Sequence, residues 1–140
     1  MKSKAIELHD STVSAIKQSD HFLEIIFQHI CVHESSEIPG INSGISWVQK
    51  GRILLISPII NSNLPEFPAE VDSGNLKIDE KYFNNTLPFP LNSQGNVSLE
   101  LFLSSKDNIS FFAKKIKIFL EGNPLEIEVF PGVDIKQSAK

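Results

Sequence analysis

The stretch Gly95-Asn96-Val97-Ser98-Leu99-Glu100-Leu101-Phe102-Leu103 carries the clearest structural pattern of the chain. Its odd-numbered residues from 97 onward are Val or Leu, and they would share one face of an extended backbone. A two-residue period of this kind predicts a β-strand with one buried face. The fold is therefore expected to consist of strands that line a core on one side.

The wider composition also favours strands. Phe occurs ten times and β-branched residues are common, whereas Ala is scarce. Further candidate strands run from Thr12 to Lys17, Ile45 to Gln49, Arg52 to Ile60, Leu76 to Ile78 and Ile109 to Ala113. Short strands at such spacing predict an all-β fold, an antiparallel β-sandwich or flattened barrel of about eight to ten strands with at most one short helix.

The segment from 115 to 130 is predicted to be a β-hairpin. Two apolar runs flank Glu121-Gly122-Asn123-Pro124, which has the composition of a turn. In the second run Leu125, Ile127 and Val129 alternate with glutamates, so these three side chains are expected to face the core.

Two other features concern secondary structure. The segment His21–His33 fits either an amphipathic helix or a long strand, and its β-branched residues favour the strand. The polar stretches Glu34–Gly44 and Ser62–Asn75 contain Pro and Gly and are predicted to be long surface loops.

Bulk properties limit the functional classes. The chain of 140 residues is expected to form one domain, 1–140, with 41% apolar and 21% charged residues, as in soluble globular proteins. Glu7 and Asp10 precede any apolar stretch and no apolar run is long enough for a bilayer, so neither a signal peptide nor membrane attachment is expected. One cysteine excludes an internal disulfide. These features predict a cytoplasmic protein.

The charge balance bears on possible partners. The formal net charge is −4, and Arg52 is the single arginine of the sequence. Nucleic-acid-binding proteins usually carry an arginine-rich basic stripe, so nucleic acid is not an expected partner. A protein or small-molecule partner is expected instead, and a homo-oligomer is possible.

The sharpest candidate for metal chemistry is His29-Ile30-Cys31-Val32-His33. On a strand, His29, Cys31 and His33 would project from one face. Imidazole and thiolate are ligands that zinc and copper prefer, and three protein ligands leave a position for water. Cupin barrels use a His-x-His pair followed by Glu a few residues later, a spacing absent here, where Cys31 stands in place of the second histidine. The alternative is that Cys31 packs as a small apolar residue and the histidines pair with backbone or are exposed.

The triplet His9-Asp10-Ser11 contains the three residue types of a hydrolase triad side by side. Neighbouring side chains of an extended chain point to opposite faces, whereas a triad needs all three to converge. A turn is therefore the preferred interpretation. No Gly-x-Ser-x-Gly motif and no phosphate-binding glycine loop occurs in the sequence, and no cofactor is expected.

Three residues are candidates for ligand recognition. Trp47, followed by Gln49, lies beside a glycine-containing loop, where its ring either stacks on a ligand or anchors the core. Phe89 stands between two prolines, in a segment that either covers an open end of the fold or binds a partner.

Several short motifs resemble those of small bacterial β domains of unknown function. They are Leu8-His9-Asp10-Ser11, His33, Pro39-Gly40, Gly44-Ile45-Ser46-Trp47-Val48-Gln49, Pro88-Phe89-Pro90-Leu91 and Glu128-Val129-Phe130-Pro131-Gly132. The resemblance implies a self-contained β domain and identifies no catalytic residue.

Two functions are therefore expected from the sequence. The first is a non-enzymatic binding or accessory module, which recognises its partner through the loops around Pro39-Gly40, Trp47 and Pro88-Phe89-Pro90. The alternative is a metal-dependent, cupin-like enzyme that uses His29, Cys31 and His33.

Overall fold

The alternation in the stretch 95–103 places one face of its strand in the core. In the computed structural model, which describes residues 3–39, 41–60 and 62–131, Leu99 and Leu101 are fully buried, whereas Glu100 is partly exposed. The same pattern in the other strands builds one continuous apolar core, to which Phe27 and Phe111 contribute the largest side chains. Burial of these alternating faces is the main stabilising contribution to the fold.

Nine strands and no helix form within the described residues. The strands are β1 (Ser3–Gln18), β2 (Phe22–Ser35), β3 (Gly44–Ile56), β4 (Ile59–Ile60), β5 (Ala69–Ile78), β6 (Lys81–Asn84), β7 (Thr86–Phe89), β8 (Asn92–Leu103) and β9 (Asn108–Phe130). The all-β prediction is confirmed, and the ambiguous segment 21–33 belongs to strand β2 from Phe22 onward. No helix long and apolar enough to cross a membrane occurs in the described residues.

The strands form one antiparallel sheet in the order β6-β5-β8-β9-β3-β2-β1-β7. An additional pairing between β5 and β1 joins the two sides of this sheet, so six strands form a closed ring: β1, β2, β3, β9, β8 and β5. The remaining three strands are not part of this ring: β4 pairs with β9, β6 pairs with β5 and β7 pairs with β1. The prediction of an antiparallel β-sandwich or flattened barrel of about eight to ten strands is confirmed, and the closed ring fits its barrel form.

The ring closes over a short distance. β1 and β5 pair only at Thr12 with Glu70 and at Val13 with Ala69. Beyond that point the two strands separate, and the segment 81–89 fills the gap because β6 pairs with β5 and β7 pairs with β1. Asn85 lies between β6 and β7, so it stands at the fork of this closing seam.

The triplet His9-Asp10-Ser11 lies at the same fork. It forms a bulge within β1, where the register with β2 shifts between Glu7 and Thr12 and Asp10 has a φ of 64°. Ser11 is completely buried, and its hydroxyl donates a 2.6 Å hydrogen bond to the carbonyl oxygen of Leu8. The triplet is thus a local turn inside a strand, and Ser11 is committed to the backbone.

Asn85 is expected to stabilise the seam through its side chain and its backbone conformation. Its Oδ1 accepts a 2.9 Å hydrogen bond from the His9 N–H, and its φ is 64°. Asn85→Ala should lower the free energy of unfolding by about 2 kcal/mol, since it removes the bond and strains a non-glycine residue at positive φ. Asn85→Gly removes this bond and the longer one from Nδ2 to Glu7 without straining the backbone, so it should cost about 1 kcal/mol. Urea unfolding of both variants measures the difference; equal losses would contradict this role.

The predicted hairpin between 115 and 130 is wrong. β9 continues through this region and pairs with β3 from Lys115 to Phe130. The residues of the predicted turn form a bulge, because Lys50 pairs with Glu121 whereas Val48 pairs with Leu125. Alternation alone does not distinguish two short strands from one strand whose extra residues bulge outward.

The loop predictions are partly right. Between Ser35 and Gly44 the chain leaves the sheet, as predicted. The second predicted loop is wrong beyond residue 68, because β5 begins at Ala69 and buries Gly74 within a strand. Gly40 of the Pro39-Gly40 motif and Gly132 of the Glu128–Gly132 motif lie outside the described residues.

Candidate functional site

Pairing of β1 with β2 brings three potential metal ligands together. Glu7 is the cross-strand partner of Cys31, and His33 lies two residues further along β2 on the same face. Ligand atoms of Glu7, Cys31 and His33 all lie within 4.8 Å of one another. We refer to these three residues as the β1–β2 cluster.

Both neighbours of His33 in this cluster contact the same ring nitrogen. His33 Nε2 lies 2.8 Å from Glu7 Oε2 and 3.7 Å from Cys31 Sγ. The side chains of His33 and Glu7 are 14% and 28% exposed, so the cluster is half-buried and still reachable from solvent. Asn85 Nδ2 donates a hydrogen bond to the other oxygen of Glu7.

These contacts change the protonation of the cluster. Hydrogen bonds to Cys31 and to Glu7 favour the charged imidazolium and raise the pKa of His33 to about 9. The hydrogen bond from His33 lowers the pKa of Glu7 below its ordinary value. At neutral pH the pair is therefore an imidazolium beside a carboxylate.

The cluster does not have the geometry of a Cys-His-acid catalytic triad. In a triad the nucleophile contacts one ring nitrogen and the orienting acid contacts the other, so that the histidine relays a proton between two sides. Here Cys31 Sγ and Glu7 Oε2 both contact His33 Nε2. Carboxylate, thiol and imidazole groups that converge in this way have the chemistry to hold a cation.

His29 is not a member of this cluster. The register between β2 and β3 shifts between Phe27 and Ile30, and this bulge interrupts the alternation on which the prediction for His29 depended. His29 Nε2 lies 3.1 Å from Thr12 Oγ1. The structure thus brings together Cys31 and His33 but adds Glu7, which sequence reasoning missed because the strand register was unknown.

A small cavity of about 160 Å³ adjoins the cluster on its β3 side. Cys31, Ser46, Glu126 and Glu128 are among the residues that line it. Cross-strand pairing explains this neighbourhood, since His33 pairs with Ser46 and Ser46 in turn pairs with Glu128. Two further carboxylates therefore border the space next to the thiol.

The residues predicted to recognise a ligand are tied into the fold. Trp47 is 7% exposed, and its Nε1 donates a 2.9 Å hydrogen bond to Gln49 Oε1. Gln49 Nε2 donates to the carbonyl oxygen of Gly122, and Lys4 Nζ lies 5.8 Å from the centroid of the Trp47 ring. Phe89 is half-buried against the core. The core-anchor interpretation therefore describes Trp47 better than ligand stacking.

The outer side of β9 offers a different surface. β8 pairs with β9 only as far as Lys117, and the next residue, Ile118, donates its N–H to the Leu91 carbonyl oxygen. Within the residues that the structure describes, β3 is the only strand that pairs with positions 119–129. We call residues 119–129 the β9 edge.

The β9 edge exposes apolar side chains. Leu125, Ile127 and Val129 are 61%, 62% and 82% exposed. The prediction that they face the core is wrong, because the closed ring of strands ends before this part of β9. Glu126 and Glu128 stand between them and are exposed as well.

Comparison of the chain with protein-family models, curated proteins and solved structures finds no match. The resemblance to small bacterial β domains therefore stays a prediction. Functional inference for this chain depends on the geometry of its own residues.

Proposed function

We propose that this protein is a non-enzymatic binding module that holds an extended segment of a partner protein along the β9 edge. The observation that carries the proposal is a strand edge that has no strand on its outer side among the described residues and presents three exposed apolar side chains: Leu125, Ile127 and Val129. Folded proteins normally protect such edges with charges, prolines or bulges because open edges template pairing with another chain. The β9 edge carries two glutamates and a bulge, which oppose pairing with an identical strand, but the exposed apolar side chains between the glutamates suit it to strand addition by a partner of complementary charge.

This proposal keeps the binding-module hypothesis but moves its surface. Trp47 is buried and Phe89 is half-buried, so neither presents a free aromatic face to a partner. The edge instead offers main-chain hydrogen bonds for affinity and side-chain alternation for specificity. Its last part, Leu125 to Val129, has the number of residues of a typical short strand, with one irregularity at Glu126, whose φ is 53° and where the register with β3 shifts.

Charge favours a basic partner. Glu126 and Glu128 alternate with the apolar side chains along this edge. A partner strand with Lys or Arg at alternating positions would place opposite charges next to these carboxylates. We therefore propose an extended segment in which basic and apolar residues alternate.

The same charges oppose a second copy of this chain as the occupant. In an antiparallel two-fold pairing centred on Ile127, Glu126 of one copy would face Glu128 of the other. Like charges directly opposite each other destabilise a sheet.

We also propose a cytoplasmic location, because one cysteine forms no internal disulfide, as is usual where thiols are kept reduced.

The proposal is testable with two synthetic peptides of seven residues, one alternating Lys with Val and the other alternating Glu with Val. We expect the basic peptide to bind at least about tenfold more tightly than the acidic one at low salt. In ¹⁵N NMR titrations its addition should shift the backbone amides of residues 125–129 first.

A charge-reversed variant provides the control. Glu126→Lys combined with Glu128→Lys should reverse the preference towards the acidic peptide, whereas Glu66→Lys combined with Glu80→Lys makes the same change in net charge at exposed positions elsewhere. Equal binding of both peptides by the wild-type protein, or reversal by the second pair of substitutions, would contradict the proposal.

A further inference from the structure

The β1–β2 cluster combines three side chains of different chemistry, and the two other side chains both contact His33 Nε2. Glu7 offers a carboxylate oxygen, Cys31 a sulfur and His33 the nitrogen that both neighbours contact. A nucleophilic triad is excluded by that shared nitrogen, and a purely structural ion pair would not need the thiol. The arrangement suits a cation that all three ligands contact at once, in place of the proton that lies between His33 and Glu7.

We propose that Glu7, Cys31 and His33 form a binding site for a borderline-soft divalent cation, of which zinc is the best fit. Zinc accepts carboxylate, thiolate and imidazole ligands together and prefers four-coordinate, tetrahedral sites. The three ligands belong to β1 and β2, and the cavity beside them is bordered by Glu126 and Glu128 of the β9 edge.

The observed distances fit tetrahedral coordination closely. Typical zinc–sulfur and zinc–nitrogen bonds imply a sulfur–nitrogen separation of about 3.5 Å across a tetrahedral angle. Cys31 Sγ and His33 Nε2 are 3.7 Å apart. Glu7 Oε2 is 2.8 Å from the same nitrogen, so this carboxylate would retreat by about 0.5 Å as the metal replaces the shared proton.

The surroundings supply access and a candidate for the fourth position. The small cavity next to Cys31 leaves space for a water molecule at the fourth position, and Glu126 and Glu128 of β9 line this cavity. Both strands that carry the three ligands are internal to the sheet, which fixes their backbones before metal binds. Such preorganisation lowers the cost of assembling a site.

Cobalt(II) binding to untagged protein tests the proposal. Cobalt occupies zinc sites, and a cobalt–thiolate bond produces a near-ultraviolet charge-transfer absorption that carboxylate or imidazole ligands alone do not give. We expect this absorption to saturate at one equivalent of cobalt and to disappear when zinc is added. Cys31 is the single cysteine of the chain, so the signal reports on this site alone.

Variants assign the ligands. Glu7→Gln, Cys31→Ser and His33→Gln should each weaken zinc binding at least about tenfold, measured by competition with a chromophoric chelator. His29→Gln is the matched control, since His29 lies on the same strand but outside the cluster, and it should change zinc affinity by less than about twofold.

Alkylation gives a second readout that does not depend on the variants folding well. Zinc should slow the reaction of Cys31 with iodoacetamide in the wild-type protein, as followed by mass spectrometry, because a metal-bound thiolate is a poorer nucleophile. Absence of the cobalt–thiolate absorption, unchanged alkylation with zinc, or an equal loss of affinity in His29→Gln and His33→Gln would each overturn the proposal.

Discussion

Ile118→Asp should lower the free energy of unfolding by about 4 kcal/mol or more, which is enough to unfold a domain of ordinary stability. Ile118 is 4% exposed, belongs to the apolar core and pairs with Ile53 of β3. A carboxylate at this position would lose its hydration with no cation to replace it, and it would also remove a packed side chain. Thermal melting or urea unfolding followed by circular dichroism gives the value.

Ile127→Asp is the matched control, because it is the same substitution on the same strand. Ile127 is 62% exposed, so an aspartate there stays hydrated and should change the free energy of unfolding by less than about 0.5 kcal/mol. Both residues looked equally buried from their alternation with charged neighbours. Similar losses in the two variants would show that the end of β9 packs against a core after all.

Gly74→Ala should cost about 3 kcal/mol, the upper end of what overpacking usually costs. A Cβ atom at this position would lie 2.7 Å from Leu8 Cδ1 and 2.8 Å from the Glu100 carbonyl oxygen. One of these neighbours is backbone of β8, so relief requires that two paired strands move apart. The carbonyl oxygen of Gly74 also accepts a hydrogen bond from the Asn85 N–H, so a shift of β5 would disturb the closing seam as well.

Gly122→Ala separates this steric effect from a general preference for glycine. No atom lies within 4 Å of a Cβ built at Gly122, although its φ is 72°. Alanine there should cost only about 1 kcal/mol, from backbone strain alone. Guanidinium unfolding of both variants compares them, and a Gly74→Ala protein as stable as Gly122→Ala would show that β5 and β8 are less closely packed than the structure indicates.

Periodicity predicted the strands well where they are regular. In the stretch 95–103 the alternating residues Val97, Leu99, Leu101 and Leu103 are buried, whereas Phe102, on the opposite face, is half-buried. Gly95 and Asn96 fall at a register shift with β9. The segment 21–33 was correctly assigned to a strand from its β-branched residues. In both cases the local preference of the backbone and the pattern of burial agree.

Bulges account for most of what the sequence did not predict. One extra residue in a strand reverses which side chains face inward, and it leaves no mark in hydrophobicity. A bulge before Ile30 removed His29 from the predicted ligand set, and the bulge after Glu121 was mistaken for a turn. The polar residues of β5 concealed a strand because Asp72 faces solvent.

For the candidate metal site, the sequence predicted two of the three proposed ligands and missed the third, for a different reason. Cys31 and His33 share a face through their spacing on one strand, which sequence alone provides. Glu7 joins them through its pairing with Cys31, and that pairing depends on the register between β1 and β2. Register between strands is a property of the assembled sheet, since turn geometry and the whole buried face decide it.

The closed ring of strands has a consequence for how the chain reaches its fold. β9 is the strand that joins β3 to β8, and it pairs with β3 across a large sequence separation: Ile56 meets Lys115, and Gly44 meets Phe130. Folds with high contact order lose much chain entropy before their contacts form, and they fold in about milliseconds to seconds. Until β9 inserts, β3 and β8 each keep an open edge on which nascent chains can aggregate.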